Sequence, residues 1–499
     1  MAESYDLVIR GGTVYDGSGA QGVRADVGVR GDRVVAVGAI PERGGLEFDA
    51  GGQAVCPGFI DVHSHDDFAV LLDPEMDFKV MQGVTTDIVG NCGSGVVPYS
   101  AGVQRFGRFH PGAEVPEWNG FGQYLQRVDE IGPSLNIAVL MGHGSLRNGA
   151  MGMAQRPPTS DELRQMLDWT REGVENGAVG LSTGLIYEPG RYAATDEIVA
   201  LAKVLGGPAG GLYASHMRNE ATGLLDAVRE TIGIGEAAGV PVEISHHKAS
   251  GRENWGRVHE SLRIIEEARA RGVEVTADQY PYTAGSTSFH AVVQNGALGT
   301  GGSGPNGLGL LDPADILIAA APRHPAYEGK TLAELVEQFD LPLEQTAQRL
   351  LDEEGEALFV VLFSMDEADV RRVMAHPTTM IGSDGVPAGS KPHPRLYGCF
   401  ARVLGRYTRD EGVLDLPTAI HKMTGMPATK FRLAARGVLR PGAFADIVVF
   451  DPQTVDDIAT YAEPRQYPRG INAVYVNGVA VRQGERHTGA RPGRGVRRG

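Results

Sequence analysis

The first 55 residues alternate apolar and polar positions with a period of two. Leu7-Val8-Ile9-Arg10, Thr13-Val14-Tyr15, Ala25-Asp26-Val27-Gly28-Val29 and Arg33-Val34-Val35-Ala36-Val37 are separated by Gly-Gly, Asp-Gly and Gly-Asp pairs. Alternation punctuated by such turns predicts a small antiparallel sheet. The pattern returns at the far end, in residues 445–450 and 473–481, the latter interrupted by an Asn477-Gly478 hairpin turn. Residues 1–55 and 431–485 are therefore expected to be two halves of one small β-sandwich domain.

Between them the period lengthens to that of helices, each followed by a short apolar strand. Thr159 with Glu162 forms a capping box for a helix to about residue 176, ahead of a strand over 178–182. Helices over 224–238 and 257–271 stop at Gly239 and Gly272 and lead into strands over 242–245 and 273–277. Ser364 and Glu367 are expected to cap a helix before a strand over 379–383. Repeated units of this kind place the chain in the α/β class and predict a (β/α)8 TIM-like barrel over 56–430, in preference to a flat doubly wound sheet. Residues 289–342 break the alternation. They begin Gly-rich (Gly299, Gly301, Gly302, Gly304, Gly307, Gly309) and turn helical over 332–339, as expected of an inserted lid or small subdomain on the barrel loops. Residues 486–499 carry Arg491, Arg494, Arg497 and Arg498 among Gly and Pro and read as a solvated tail.

Composition narrows the function classes. The 499 residues are 42% hydrophobic and 22% charged, with a mean hydropathy of −0.16, as in ordinary globular enzymes. The longest apolar stretch, 357–363, falls far below the roughly 18 residues a bilayer span requires, so no membrane partner is expected. With 62 acids against 46 bases the net charge is −16, a field that repels phosphate backbones, so nucleic acid is not an expected partner either. Cys56, Cys92 and Cys399 show no disulfide-framework spacing, and the N-terminus carries acids where a secretory signal would carry bases. A reducing, cytoplasmic location is the expectation.

The residues suited to chemistry stand at the ends of the barrel strands. His63 and His65 follow Phe59-Ile60-Asp61-Val62, two imidazoles on the same side of one strand. Asp87-Ile88-Val89-Gly90-Asn91-Cys92-Gly93 brings a strand to a cysteine. Gly211-Leu212-Tyr213-Ala214-Ser215-His216 and Val242-Glu243-Ile244-Ser245-His246-His247-Lys248 end in histidines, and Met380-Ile381-Gly382-Ser383-Asp384-Gly385 ends in an acid. Any one of these is unremarkable alone; together, at the C-terminal face of a barrel, they predict a metal centre. His246 and His247 are adjacent and point to opposite sides, so only one can be a ligand. His143 lies near another strand end, with a supporting or a purely structural role.

These segments, with Tyr280-Pro281-Tyr282-Thr283 and the flanking β halves, resemble the amidohydrolase superfamily, and within it the D-aminoacylases (N-acyl-D-amino-acid deacylases), over essentially the whole chain. The resemblance implies a zinc held tightly by Cys92, His216 and His246, beside a weaker divalent site of His63, His65 and Asp384. Cys92 stands where most two-metal relatives use a carbamylated lysine. Zinc lowers the pKa of water toward about 7 and polarises a carbonyl, with Asp384 as general base and then general acid. The likeness also supplies Lys248, Arg395, Tyr187, Tyr282 and Ser286 or Ser288 to hold the substrate's carboxylate, and the D configuration itself. No residue over 289–342 identifies itself as a cation for an acidic side chain, so neutral or apolar side chains are expected. The rival readings are a cyclic-amide hydrolase of hydantoinase or dihydropyrimidinase type, a one-metal deaminase, and a non-catalytic scaffold. The absence of a lysine at the Cys92 position speaks against the first, and the full set of candidate ligands against the scaffold.

Overall fold

The computed structural model describes residues 5–498 apart from 110–111, 208–209, 295–296 and 299–306. Gly299, Gly301, Gly302 and Gly304 of the expected insert fall outside the described residues. Eight parallel strands run side by side: β1 (Phe59–Asp61), β2 (Val84–Val89), β3 (Asn136–Gly142), β4 (Gly180–Gly184), β5 (Leu212–His216), β6 (Val242–Ile244), β7 (Val275–Gln279) and β8 (Thr379–Ile381). Helices such as Ser160–Glu175, Leu224–Ala238 and Val258–Ala270 connect them on the outside. Each strand is buried along its whole length, as parallel strands between a filled interior and a helical layer must be. The fold is the TIM-like barrel expected, nearly closed: β1 and β8 meet through one isolated bridge, Ser64 with Gly385.

The chain ends form one nine-stranded sheet. Its halves join where Ala54–Pro57 runs antiparallel to Ile447–Phe450, with Val55 opposite Val449. Alternation along Ile447–Phe450 sends Ile447 and Val449 into a core shared with Ile9, Val29 and Val55. Val448 and Phe450 pack instead into the main core with barrel residues such as Phe59 and Val84. The period of two thus serves two cores at once.

Local signals account for several element boundaries. Thr159 accepts from the Glu162 backbone N–H and Glu162 reaches back, closing the capping box. The helix before β8 starts differently from expectation. Asp366, not Ser364, is its cap, accepting from the N–H groups of Ala368 and Asp369, because a carboxylate one residue before the helix lies within reach of both orphan donors. Strand β4 lies two residues later than its apolar run suggested. The insert is also wider than 289–342: Gly285–Ser288, Ile316–Ala320 and Phe359–Leu362 form a three-stranded sheet of their own over a separate apolar core that includes Phe289, Ile318, Leu335 and Val360. The C-terminal tail is docked by its backbone, while Arg491 and Arg497 stay exposed. Gly493 donates to the Pro133 carbonyl, Val496 to that of Ile137 and Arg498 to that of Gly177, while Arg497 pairs with Asp129 at 3.0 Å. Glycine and proline let the backbone lie flat against the barrel, and Arg494 and Arg497 reach Asp32 and Asp129 beside it. Among the described residues no helix is long and apolar enough to cross a membrane.

Candidate metal centre

The mouth of the barrel at the strands' C-terminal ends collects six donor side chains from five strands. His63 and His65 follow β1, Cys92 follows β2, His216 ends β5, His246 follows β6 and Asp384 follows β8. The Cys92 Sγ is 3.3 Å from His63 Nε2, 3.6 Å from His216 Nδ1 and 3.5 Å from His246 Nε2. Asp384 Oδ1 is 3.1 Å from His65 Nε2 and 3.5 Å from His63 Nε2. Three groups, His63/His65/Cys92, Cys92/His216/His246 and His63/His246/Asp384, each bring their donor atoms within 4.8 Å of one another. The sulfur sits between the histidines of β1 and those of β5 and β6.

Backbone geometry aims these groups. Cys92, His246 and Asp384 have φ of 53°, 36° and 50°, a left-handed region that non-glycine residues seldom adopt. Gly90 opens the Cys92 turn with φ of 85°, and a Cβ there would collide with the Leu140 carbonyl, so only glycine lets β2 turn so close to β3. His246 is turned into the centre, whereas His247 points outward and pairs its Nε2 with Ser261 Oγ at 2.9 Å. His143 stays outside the cluster, bonded to Glu197 at 2.9 Å beside Arg147, whose Nε donates to the Pro189 carbonyl.

Buried acids engage the outer ring nitrogens of His246 and His63, and one lies near that of His216. Glu220 Oε1 lies 2.9 Å from His246 Nδ1 and Oε2 lies 3.8 Å from His216 Nε2. Asp278 Oδ2 lies 3.2 Å from His63 Nδ1, and its Oδ1 accepts the His246 backbone N–H at 2.9 Å. Carboxylates behind imidazoles are the usual support of histidine ligands. Neither Glu220 nor Asp278 was singled out from the sequence. Glu220 follows His216 by one helical turn's spacing and Asp278 lies within β7, and those positions were the only available signals.

Burial opposes ionisation of the Cys92 thiol, but the His63 and His246 rings outweigh it and hold the thiol well below its ordinary pKa. Burial likewise opposes charge on Asp384, and Arg395 with His63 reverses that, keeping the carboxylate ionised. Burial leaves His216 below its ordinary value. A thiolate, imidazoles and a carboxylate converging from separate strands form a donor set that suits a divalent ion of zinc type.

The centre opens into a cavity of about 350 Å³. Lys248, Tyr187, Ser286 and Ser288 line it together with His65, Cys92, His216, His246 and Asp384. Lys248 Nζ is 2.6 Å from Glu220 Oε1, and Tyr187 OH is 3.1 Å from Thr287 Oγ1. Two expectations need correction. Tyr282 faces away, its hydroxyl 3.4 Å from Asp457 and Arg402 4.6 Å above its ring; Tyr280, two residues earlier, lines the cavity instead. Arg395 is fully buried behind the wall rather than on it. Its Nη1 is 2.9 Å from Asp384 Oδ2 and its Nη2 donates to the Ser286 carbonyl at 3.3 Å.

An amidohydrolase family profile matches residues 46–309 and 338–482. The D-aminoacylase of Alcaligenes xylosoxydans xylosoxydans is 40% identical over 99% of this chain and 98% of its own length. The crystal structure of the N-acyl-D-glutamate deacylase of Bordetella bronchiseptica, complexed with zinc and a phosphonate inhibitor, superimposes with a TM-score of 0.89 at 39% identity, covering 99% of this chain and 100% of that one. A D-hydantoinase structure, at 14% identity and a TM-score of 0.58 over 99% of both chains, shares the fold alone. With this coverage and identity, the chain belongs to the amidohydrolase family, in its D-aminoacylase branch.

Proposed function

We propose that the protein is a zinc-dependent hydrolase that cleaves the amide bond of N-acyl-D-amino acids, giving a D-amino acid and a carboxylate. The observation that carries this reading is the Cys92 sulfur lying within 3.6 Å of ring nitrogens of His63, His216 and His246. Cys92, His216 and His246 would hold the tighter zinc, and His63, His65 and Asp384 a weaker divalent ion. Bound there, the metal polarises the scissile carbonyl and makes water acidic enough to ionise near neutral pH.

The chain's own residues do the rest. Asp384 accepts a proton from the attacking water and passes it to the departing amine; Arg395 keeps one carboxylate oxygen engaged so that the other faces the histidines. The substrate's carboxylate is held by the Lys248 ammonium, with hydroxyls from Tyr187 and from Ser286 or Ser288 beside it. Arg395, one layer behind Ser286, adds positive potential at that end. Ala291, Val293, Leu308, Phe359 and Leu362 form an apolar patch on the insert's side of the cavity, beside the polar Ser286, Thr287, Ser288 and His290; the patch favours neutral or apolar D side chains. Three buried unpaired cysteines suit the reducing cytoplasm.

Free amine released from N-acetyl-D-methionine, N-acetyl-L-methionine and N-acetyl-D-glutamate tests the reading. Hydrolysis of the D-methionine derivative, with the L form inert and D-glutamate slower by about tenfold or more, is expected. Turnover of the L form, or ring opening of a hydantoin in preference to the linear amide, would overturn it.

A further inference from the structure

Strands β1 and β8 are the two edges of the barrel sheet, and the weaker divalent site straddles the seam between them. His63 and His65 come from one edge and Asp384 from the other. Ladder pairing does not set this spacing, since the edges share one isolated bridge. Backbone contact is limited to Asp384 N–H donating to the His63 carbonyl at 2.7 Å and His65 N–H donating to that of Gly385 at 3.1 Å.

Beneath these contacts lies a buried polar cluster. Lys79, fully buried in the short helix Asp77–Val80, places its ammonium 2.5 Å from Asp61 Oδ2, 3.0 Å from Asp66 Oδ2 and 2.9 Å from Ser383 Oγ. Asp61 reaches across the seam. Its Oδ1 accepts the Ser383 backbone N–H at 2.8 Å and its Oδ2 accepts the Ser383 hydroxyl at 2.5 Å. Ser383 Oγ also accepts the Gly385 N–H at 3.0 Å, so one hydroxyl ties the Asp384 turn from both sides to the β1 edge. Asp61 precedes His63 by two residues, and Ser383 adjoins Asp384. Lys79, Asp61 and Ser383 all lie outside the cavity lining.

We infer that Lys79, Asp61 and Ser383 form a clamp that closes the barrel seam and sets the spacing of His63, His65 and Asp384. They are positioning residues, touching neither substrate nor the metal directly. The inference rests on the assignment of His63, His65 and Asp384 as the weaker divalent site. A buried cation shared by several carboxylates is costly unless its geometry is well satisfied. Here Lys79 pairs with Asp61 and Asp66 on the β1 side and with Ser383 across the seam.

Lys79→Met would strand buried carboxylates and can fail to fold, so the decisive variant is Ser383→Ala, which keeps the ion pairs and removes the bridging hydroxyl. Zinc-loaded wild type and variant are compared for kcat, KM, zinc content, melting temperature and cadmium affinity of the second site by calorimetric titration. Supporting groups around metal ligands are typically worth about 10–100-fold in metal affinity or activity. The expected result is a fall of about tenfold or more in both kcat and cadmium affinity, with KM and tight-zinc content unchanged. A lower melting temperature with kcat and cadmium affinity within about twofold of wild type marks a purely structural cluster and overturns the inference. A fall in only one of the two overturns it as well, since misplacing the trio must affect both. A wild-type protein that takes up no second ion instead removes the two-site assignment itself, a distinguishable failure.

Discussion

Half of the six donors occupy backbone conformations that side chains resist: Cys92, His246 and Asp384 all have positive φ. Such residues cost on the order of 1–3 kcal/mol each and persist where the surroundings over-determine them. The arrangement trades local backbone ease for convergence on one point. Asp384 is the donor whose chemistry separates best from its structural role. In an Asp384→Ala variant the Cys92, His216 and His246 set is intact, so zinc should stay bound while kcat falls by about 10²–10⁴-fold, the usual weight of a proton-transferring group. Elemental analysis and steady-state rates check this; activity within about tenfold of wild type would contradict it. At this scale the donors were legible because each follows an apolar strand in the sequence. Glu220 and Asp278 were not, since each reaches a histidine of another strand and their sequence positions alone do not show it. Tyr280 and Tyr282 were indistinguishable by residue type, and only the turn after β7 decides which one faces the cavity.

At the scale of elements, period and caps carried most of the information. The Thr159–Glu162 box and the glycines after residues 238 and 271 marked helix ends that the fold keeps within a residue. Ser364 misled because a better cap, Asp366, stands two residues on. The insert's strands Gly285–Ser288 and Phe359–Leu362 lie 70 residues apart in sequence, and no local signal links such partners.

The helix Leu416–Met423 bears another element-scale consequence. Lys422 is buried against β8, its ammonium donating to the carbonyls of His376 and Thr379 at 2.5 and 2.8 Å. Burial pushes its pKa from 10.5 down to about 8. A base with a depressed folded pKa binds its proton more tightly when unfolded, so its charge destabilises the fold below about pH 8 and this penalty is relieved as pH rises toward 10.5. The shift corresponds to roughly 3 kcal/mol. Lys422→Met should therefore gain stability relative to wild type at pH 7 and lose that advantage by pH 10, as read from urea midpoints. A difference independent of pH would contradict the argument.

For the whole molecule, the two ends of the chain build one sheet that packs on the barrel. Its alternation was visible at both ends, and the pairing followed because each half leaves an apolar face uncovered. The C-terminal segment read as a free tail because composition reports charge but not the backbone partners and acids, such as Asp129, that a distant part of the fold supplies. The barrel's central consequence is the convergence of sulfur and imidazoles from β1, β2, β5 and β6. Zinc content of purified Cys92→Ala after exhaustive dialysis tests that most directly. Wild-type protein should retain close to one zinc per chain, as a thiolate-containing site does, and the variant should lose both the zinc and the hydrolysis of N-acetyl-D-methionine. A Cys92→Ala protein that keeps its full complement of zinc would contradict the account.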